Sequence, residues 1–98
     1  MDEETKKAYM EKIEAEIKQW DAEIEKLDAK VETLDADDKV EYKKKFEDLR
    51  AKRDKVVSRL NEFQSASESV WNDIKTDIEE TWGTVKEGIK SAWDNLGQ

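Results

Sequence analysis

The chain has 98 residues, 45% of them charged and 36% hydrophobic, and a net charge of −8. That length suffices for one domain without a deep core, and the balance suits long helices that bury a seam. Cysteine, histidine and proline are all absent, which excludes disulfides, thiolate metal sites and proline breaks.

The start, Met-Asp-Glu-Glu-Thr-Lys-Lys, leads into no apolar run. Nothing approaches the roughly 18 consecutive apolar residues of a membrane span, so a soluble, cytoplasmic protein is expected. Charge is unevenly spread: residues 1–37 carry thirteen acids and six bases, 38–64 six and nine, 65–98 seven and three. The one basic segment stands beside an acidic one that neutralises it, which argues against nucleic-acid binding.

The first element reads as a helix over 5–34. Met10, Ile13, Ile17, Trp20, Ile24, Leu27, Val31 and Leu34 alternate three and four apart, the a/d seam of a coiled coil. Ala8, Ala15, Ala22, Ala29 and Ala36 recur at the f position opposite. Alanine there serves as a helix former on an exposed face, or alternatively forms a second close-packing surface.

Asp35-Ala-Asp-Asp38 interrupts this pattern with turn and cap formers, and a second helix is expected over 38–64. Its stripe is Val40, Tyr42, Phe46, Leu49, Val56, Leu60 and Phe63, with Arg53 in the seam. A gap this short requires an antiparallel hairpin. Pairing Leu34 with Tyr42 brings Leu27 to Leu49, Trp20 to Val56 and Ile13 to Phe63. The e and g positions agree in charge: the register sets Glu23 near Lys52, Glu16 near Arg59 and Asp28 near Arg50, with Lys30 near Lys45 as the one mismatch. Each exposed pair contributes at most ~1 kcal/mol, so they specify more than they stabilise. For Arg53 the preferred reading packs the stem and sends the head to Asp21 or Glu23; the alternative lays it on the Trp20 indole.

Ser65-Ala-Ser-Glu68 fits a capping box, so a third helix is expected over 66–96, although helices 2 and 3 could also form one rod. Here Trp71, Trp82 and Trp93 stand eleven apart, each followed three residues later by Ile74, Val85 or Leu96. With Ile78 and Ile89 they make one interaction stripe, bordered by Lys75, Lys86 and Lys90. The change of period from 3.5 to 3.67 residues predicts that this stripe leaves the heptad seam and takes a different partner. An exposed stripe of this size points to self-association or a helical protein partner; a compact three-helix bundle is the monomeric alternative.

The expected architecture is therefore all-α, with a single helical domain over 1–98. An antiparallel coiled-coil hairpin is followed by a C-terminal amphipathic helix, completing either a three-helix bundle or a helical oligomer.

No catalytic residue, cofactor, metal or small-molecule substrate is assigned. Nucleophile activation would fall to lysine or carboxylates, and no glycine-rich phosphate cradle or serine elbow is present. Asp35-Ala-Asp-Asp38 departs from a calcium loop at Lys39 and Val40.

Three stretches carry a resemblance: Tyr9 to Ile24, Tyr42 to Leu60 around Phe46-Glu-Asp-Leu-Arg-Ala-Lys-Arg-Asp54, and Ser65-Ala-Ser-Glu-Ser-Val-Trp71 with the later tryptophans. Together they resemble a family of small bacterial coiled-coil proteins, some labelled stress-response proteins. That resemblance implies no enzyme activity, cofactor or functional residue. Thr84-Val-Lys-Glu-Gly-Ile89 is more weakly similar to the eleven-residue repeats of apolipoproteins, synucleins and late-embryogenesis proteins. Two functions follow: a stress-associated interaction protein that assembles or captures a partner through the tryptophan stripe, or a peripheral protector of lipid surfaces.

Overall fold

The computed structural model describes residues 2–96 as three α-helices: α1 (Glu3–Val31), α2 (Ala36–Ser65) and α3 (Glu68–Leu96). Gly97, the last of the three glycines, lies outside the described residues. α2 runs antiparallel to α1, with Lys6 beside Gln64 at one end and Asp28 beside Arg50 towards the other. α3 runs parallel to α1, from Lys6 over Trp71 to Lys30 over Trp93. The protein is an all-α three-helix bundle, 50 × 18 × 17 Å.

Side chains at the helix ends explain the boundaries. Asp2 accepts the Thr5 N–H at 2.7 Å and caps α1 earlier than residue 5; those hydrogen bonds hold its carboxyl below the usual carboxylate range. α1 ends at Val31, not Leu34, because the Thr33 amide and hydroxyl both turn back onto the Lys30 carbonyl. Asp35 then accepts the Asp38 N–H at 3.0 Å, so α2 starts at Ala36. Glu32 clamps this turn through Lys43 at 2.8 Å and Lys39 at 3.4 Å, and bonding to Lys43, then Lys39, depresses its pKa.

The single-rod alternative does not occur. Ala66 is extended (φ −76°, ψ 151°), and the Trp71 Nε1–H donates to its carbonyl at 2.9 Å. The indole thereby latches the corner between α2 and α3. Ser65 is the last residue of α2, so it is not the cap of α3 that the capping-box reading required.

α3 follows the hairpin, contrary to the expectation from its period. Its buried face repeats every seven residues, through Trp71, Ile78, Val85 and Ala92, with Ile74, Thr81 and Gly88 on one side and Trp82 and Ile89 on the other. The small residues Thr81, Gly88 and Ala92 continue a heptad that the large ones leave incomplete. A Cβ on Gly88 would stand 2.5 Å from Leu49 Cδ2, so the missing side chain is what admits that methyl.

Candidate functional site

The hairpin seam lies in the bundle core. Ile13, Ile17, Trp20, Ile24, Leu27, Val31, Phe46, Leu49, Val56, Leu60 and Phe63 are buried, while Leu34 packs at the margin. Arg53 stays at the edge and takes a carboxylate, not the indole: its Nε and Nη2 meet the two oxygens of Asp21 at 2.9 and 2.8 Å, and Nη1 reaches Asp54. Bonding to Asp21 raises its pKa further, outweighing the opposing effect of burial, and Asp54 adds to the rise.

Of the expected cross-helix charge pairs, Asp28 meets Arg50 at 2.9 Å. The other expected pairs do not form. Lys52 pairs with Asp48 within α2. Arg59 turns to Glu62 and, with Lys55, to Asp77 of α3. The mismatch of Lys30 and Lys45 resolves in the same way, because Lys30 lies over Trp93 while Lys45 pairs with Glu41.

The proposed interaction stripe faces the chain's own hairpin. Trp71, Ile78, Val85 and Ile89 are buried, and Ile74, Trp82, Trp93 and Leu96 pack half-buried along the core margin. The free apolar face from which self-association was argued is therefore covered within one chain. Each indole joins a layer that also contains α1. Trp71 stacks near Phe63, itself 5.2 Å from Tyr9, and Trp82 lies 6.3 Å from Trp20. Trp93 donates from Nε1 to Glu23 at 2.6 Å.

A lysine of α1 covers every one of these indoles: Lys6 over Trp71, Lys12 over Trp82 and Lys30 over Trp93, at 5.1, 5.1 and 5.6 Å from the ring centres. Such contacts contribute roughly 0.5–2 kcal/mol. Lys6 does more. It is 9% exposed, and its Nζ donates at 2.6 Å to the Gln64 carbonyl at the end of α2, a helix with no basic residue in its own last turn.

Sequence reasoning missed Lys6, Thr81 and Gly88. The available signal was the seven-residue spacing of Trp71, Ile78, Val85 and Ala92. Among the described residues no acid cluster has the form of a metal site, and no helix is long and apolar enough to cross a membrane. Among the described residues the bundle's exterior is largely charged and carries several shallow grooves, two of which flank α3. One runs against α2, over Phe46, Leu49 and Gly88; the other runs against α1, over Trp20 and Ile89.

A family model described as vesicle transport v-SNARE protein N-terminus matches residues 1–77, which span α1, α2 and the first third of α3. The chain belongs to this v-SNARE N-terminal family. No curated protein and no solved structure matches it. The v-SNARE match overturns the resemblance to bacterial stress-response coiled coils, which rested on three stretches, Tyr9–Ile24, Tyr42–Leu60 and Ser65–Trp71 with the later tryptophans, whose helical patterns many long paired helices share. The likeness to lipid-binding eleven-residue repeats falls with it, since α3 buries a seven-residue period. As a v-SNARE N-terminal domain, the chain is a helical protein-interaction domain.

Proposed function

We propose that this chain is a non-enzymatic module of vesicle transport that works in the cytoplasm and binds a helical protein partner through the outside of a preformed bundle. The observation that supports this is the enclosure of the tryptophan stripe by the chain's own hairpin. A stripe occupied from within leaves the charged exterior and its grooves for partners. Capture through the stripe, self-assembly through it and lipid docking would each require α3 to leave the hairpin.

Parallel pull-downs test this reading, using the folded chain and an Ile78→Asp variant as baits in extract of the source cells. Selective retention of helical vesicle-transport proteins by the folded bait is expected. Equal retention by both baits counts against a preformed binding surface. Lipid vesicles added to the folded chain should leave tryptophan emission unshifted; a blue shift would favour the lipid-surface reading.

A further inference from the structure

The groove between α1 and α3 has a volume of about 400 Å³ and an apolar floor made by Trp20 and Ile89. Its two walls carry opposite charge. Glu16 and Glu23 stand on the α1 side, Lys86 and Lys90 on the α3 side. The spacing within each pair, seven residues or two turns on α1 and four residues or one turn on α3, keeps both charges of a pair on the same face along the groove.

Glu16, Lys86 and Lys90 form no ion pair among the described residues, while Glu23 is held at the wall by Trp93 Nε1 and meets Lys26 of its own helix at the long distance of 4.0 Å. Two rows of opposite charge thus face one another across the apolar floor without neutralising each other. The α2–α3 groove differs in this respect, because its rim lysines Lys45 and Lys52 are already paired with Glu41 and Asp48. Glu87 lines both grooves, which places it on the crest of α3 between them.

We propose that the α1–α3 groove is the docking site of an amphipathic helix from a partner protein, with apolar residues at i, i+3/i+4 and i+7 over Trp20 and Ile89, a basic edge against Glu16 and Glu23, and an acidic edge against Lys86 and Lys90. The partner completes a four-helix arrangement in which each edge finds its opposite charge. The inference rests on the reading of the chain as a helical interaction module. It adds a location outside the family match on the α3 side, since Lys86, Ile89 and Lys90 all follow residue 77.

The probe is a synthetic amphipathic peptide with leucine at a and d, lysine along one edge and glutamate along the other, used below its own association threshold. Reversing a helix exchanges its edges, so the informative controls are peptides with lysine on both edges or glutamate on both. Backbone amide shifts of the full chain give both the site and the affinity. The dipolar peptide should move Glu16, Gln19, Lys86 and Lys90 and bind about tenfold more tightly than either control, the scale of a few rim charge pairs.

The double variant Lys86→Glu/Lys90→Glu, whose positions are exposed, should keep its melting temperature and switch preference to the all-lysine peptide. Equal affinity for the three peptides, or no switch in the double variant, overturns the groove. Shifts confined to the α2–α3 groove overturn this location while leaving the interaction reading in place. Shifts at Lys86 and Lys90 that grow with protein concentration and without peptide would assign the groove to a second copy and overturn the partner helix. Absence of shifts with any peptide also overturns the groove; the interaction reading then stands or falls on the pull-downs.

Discussion

Lys6 shows how one long side chain joins three helices. Its stem is enclosed, its ammonium donates to the Gln64 carbonyl at the end of α2, and the same charge faces the Trp71 ring at the start of α3. Lys6→Met keeps most of the stem and removes the charge, so it isolates the polar contribution. A loss of about 1–3 kcal/mol is expected in urea unfolding, the range for a charged hydrogen bond in a shielded place. An unchanged midpoint would show that the contact contributes nothing in solution.

Tyr9 gives a pH signature. Its hydroxyl is enclosed without a hydrogen-bond partner among the described residues, and burial, with a smaller effect of the Glu79 charge, pushes its pKa from 10.0 to about 12. Folding therefore favours the neutral phenol. The stability it contributes is complete below pH 10 and is lost as pH rises through about 12. Ultraviolet titration should place one tyrosine near that value in the native protein, and Tyr9→Phe should remove this transition. Because the hydroxyl lacks a partner, Tyr9→Phe should also raise the urea midpoint.

At the level of elements, the two glycines of α3 predict different outcomes from the same substitution. A Cβ on Gly83 meets nothing within 4 Å, so Gly83→Ala should gain most of the ~1 kcal/mol that separates glycine from alanine in a helix. On Gly88 the new methyl meets Leu49 Cδ2 at 2.5 Å in a packed interface, and repacking should cancel that gain. Thermal unfolding should therefore rank Gly83→Ala above wild type and Gly88→Ala below Gly83→Ala. These positions also show what was legible in the sequence. The α1 and α2 seam could be read because its apolar residues are large and evenly spaced, and Asp35 announced the turn. The fate of α3 could not, because three conspicuous tryptophans defined an eleven-residue period while Thr81, Gly88 and Ala92, which carry the heptad, look unremarkable as letters. The charge pairs of Glu16 and Glu23 were misplaced for a related reason: a two-helix register has no position for the third helix, which claims Arg59 through Asp77 and Glu23 through Trp93.

For the whole molecule, the deciding variable is what covers the apolar face of α3. If the hairpin covers it, the chain is a monomer of 11.5 kDa by light scattering, and substitutions on the stripe act on stability instead of mass. Ile78 is 0% exposed at the centre of α3, so Ile78→Asp buries an unpaired charge and should cost more than ~3 kcal/mol. Trp82 is half-buried beside Trp20 with Lys12 over its face. Trp82→Glu can turn its carboxylate towards Lys12 and water, and should cost less, on the order of 2 kcal/mol. Both variants should lower the melting temperature, and Ile78→Asp, with α3 displaced and the seam uncovered, should associate more than wild type. An assembly held by the stripe predicts the reverse: an oligomeric wild type that either substitution converts to a stable monomer. Mass and melting temperature measured together on these variants separate the two cases, because a covered stripe links substitution to unfolding and an exposed one links it to dissociation.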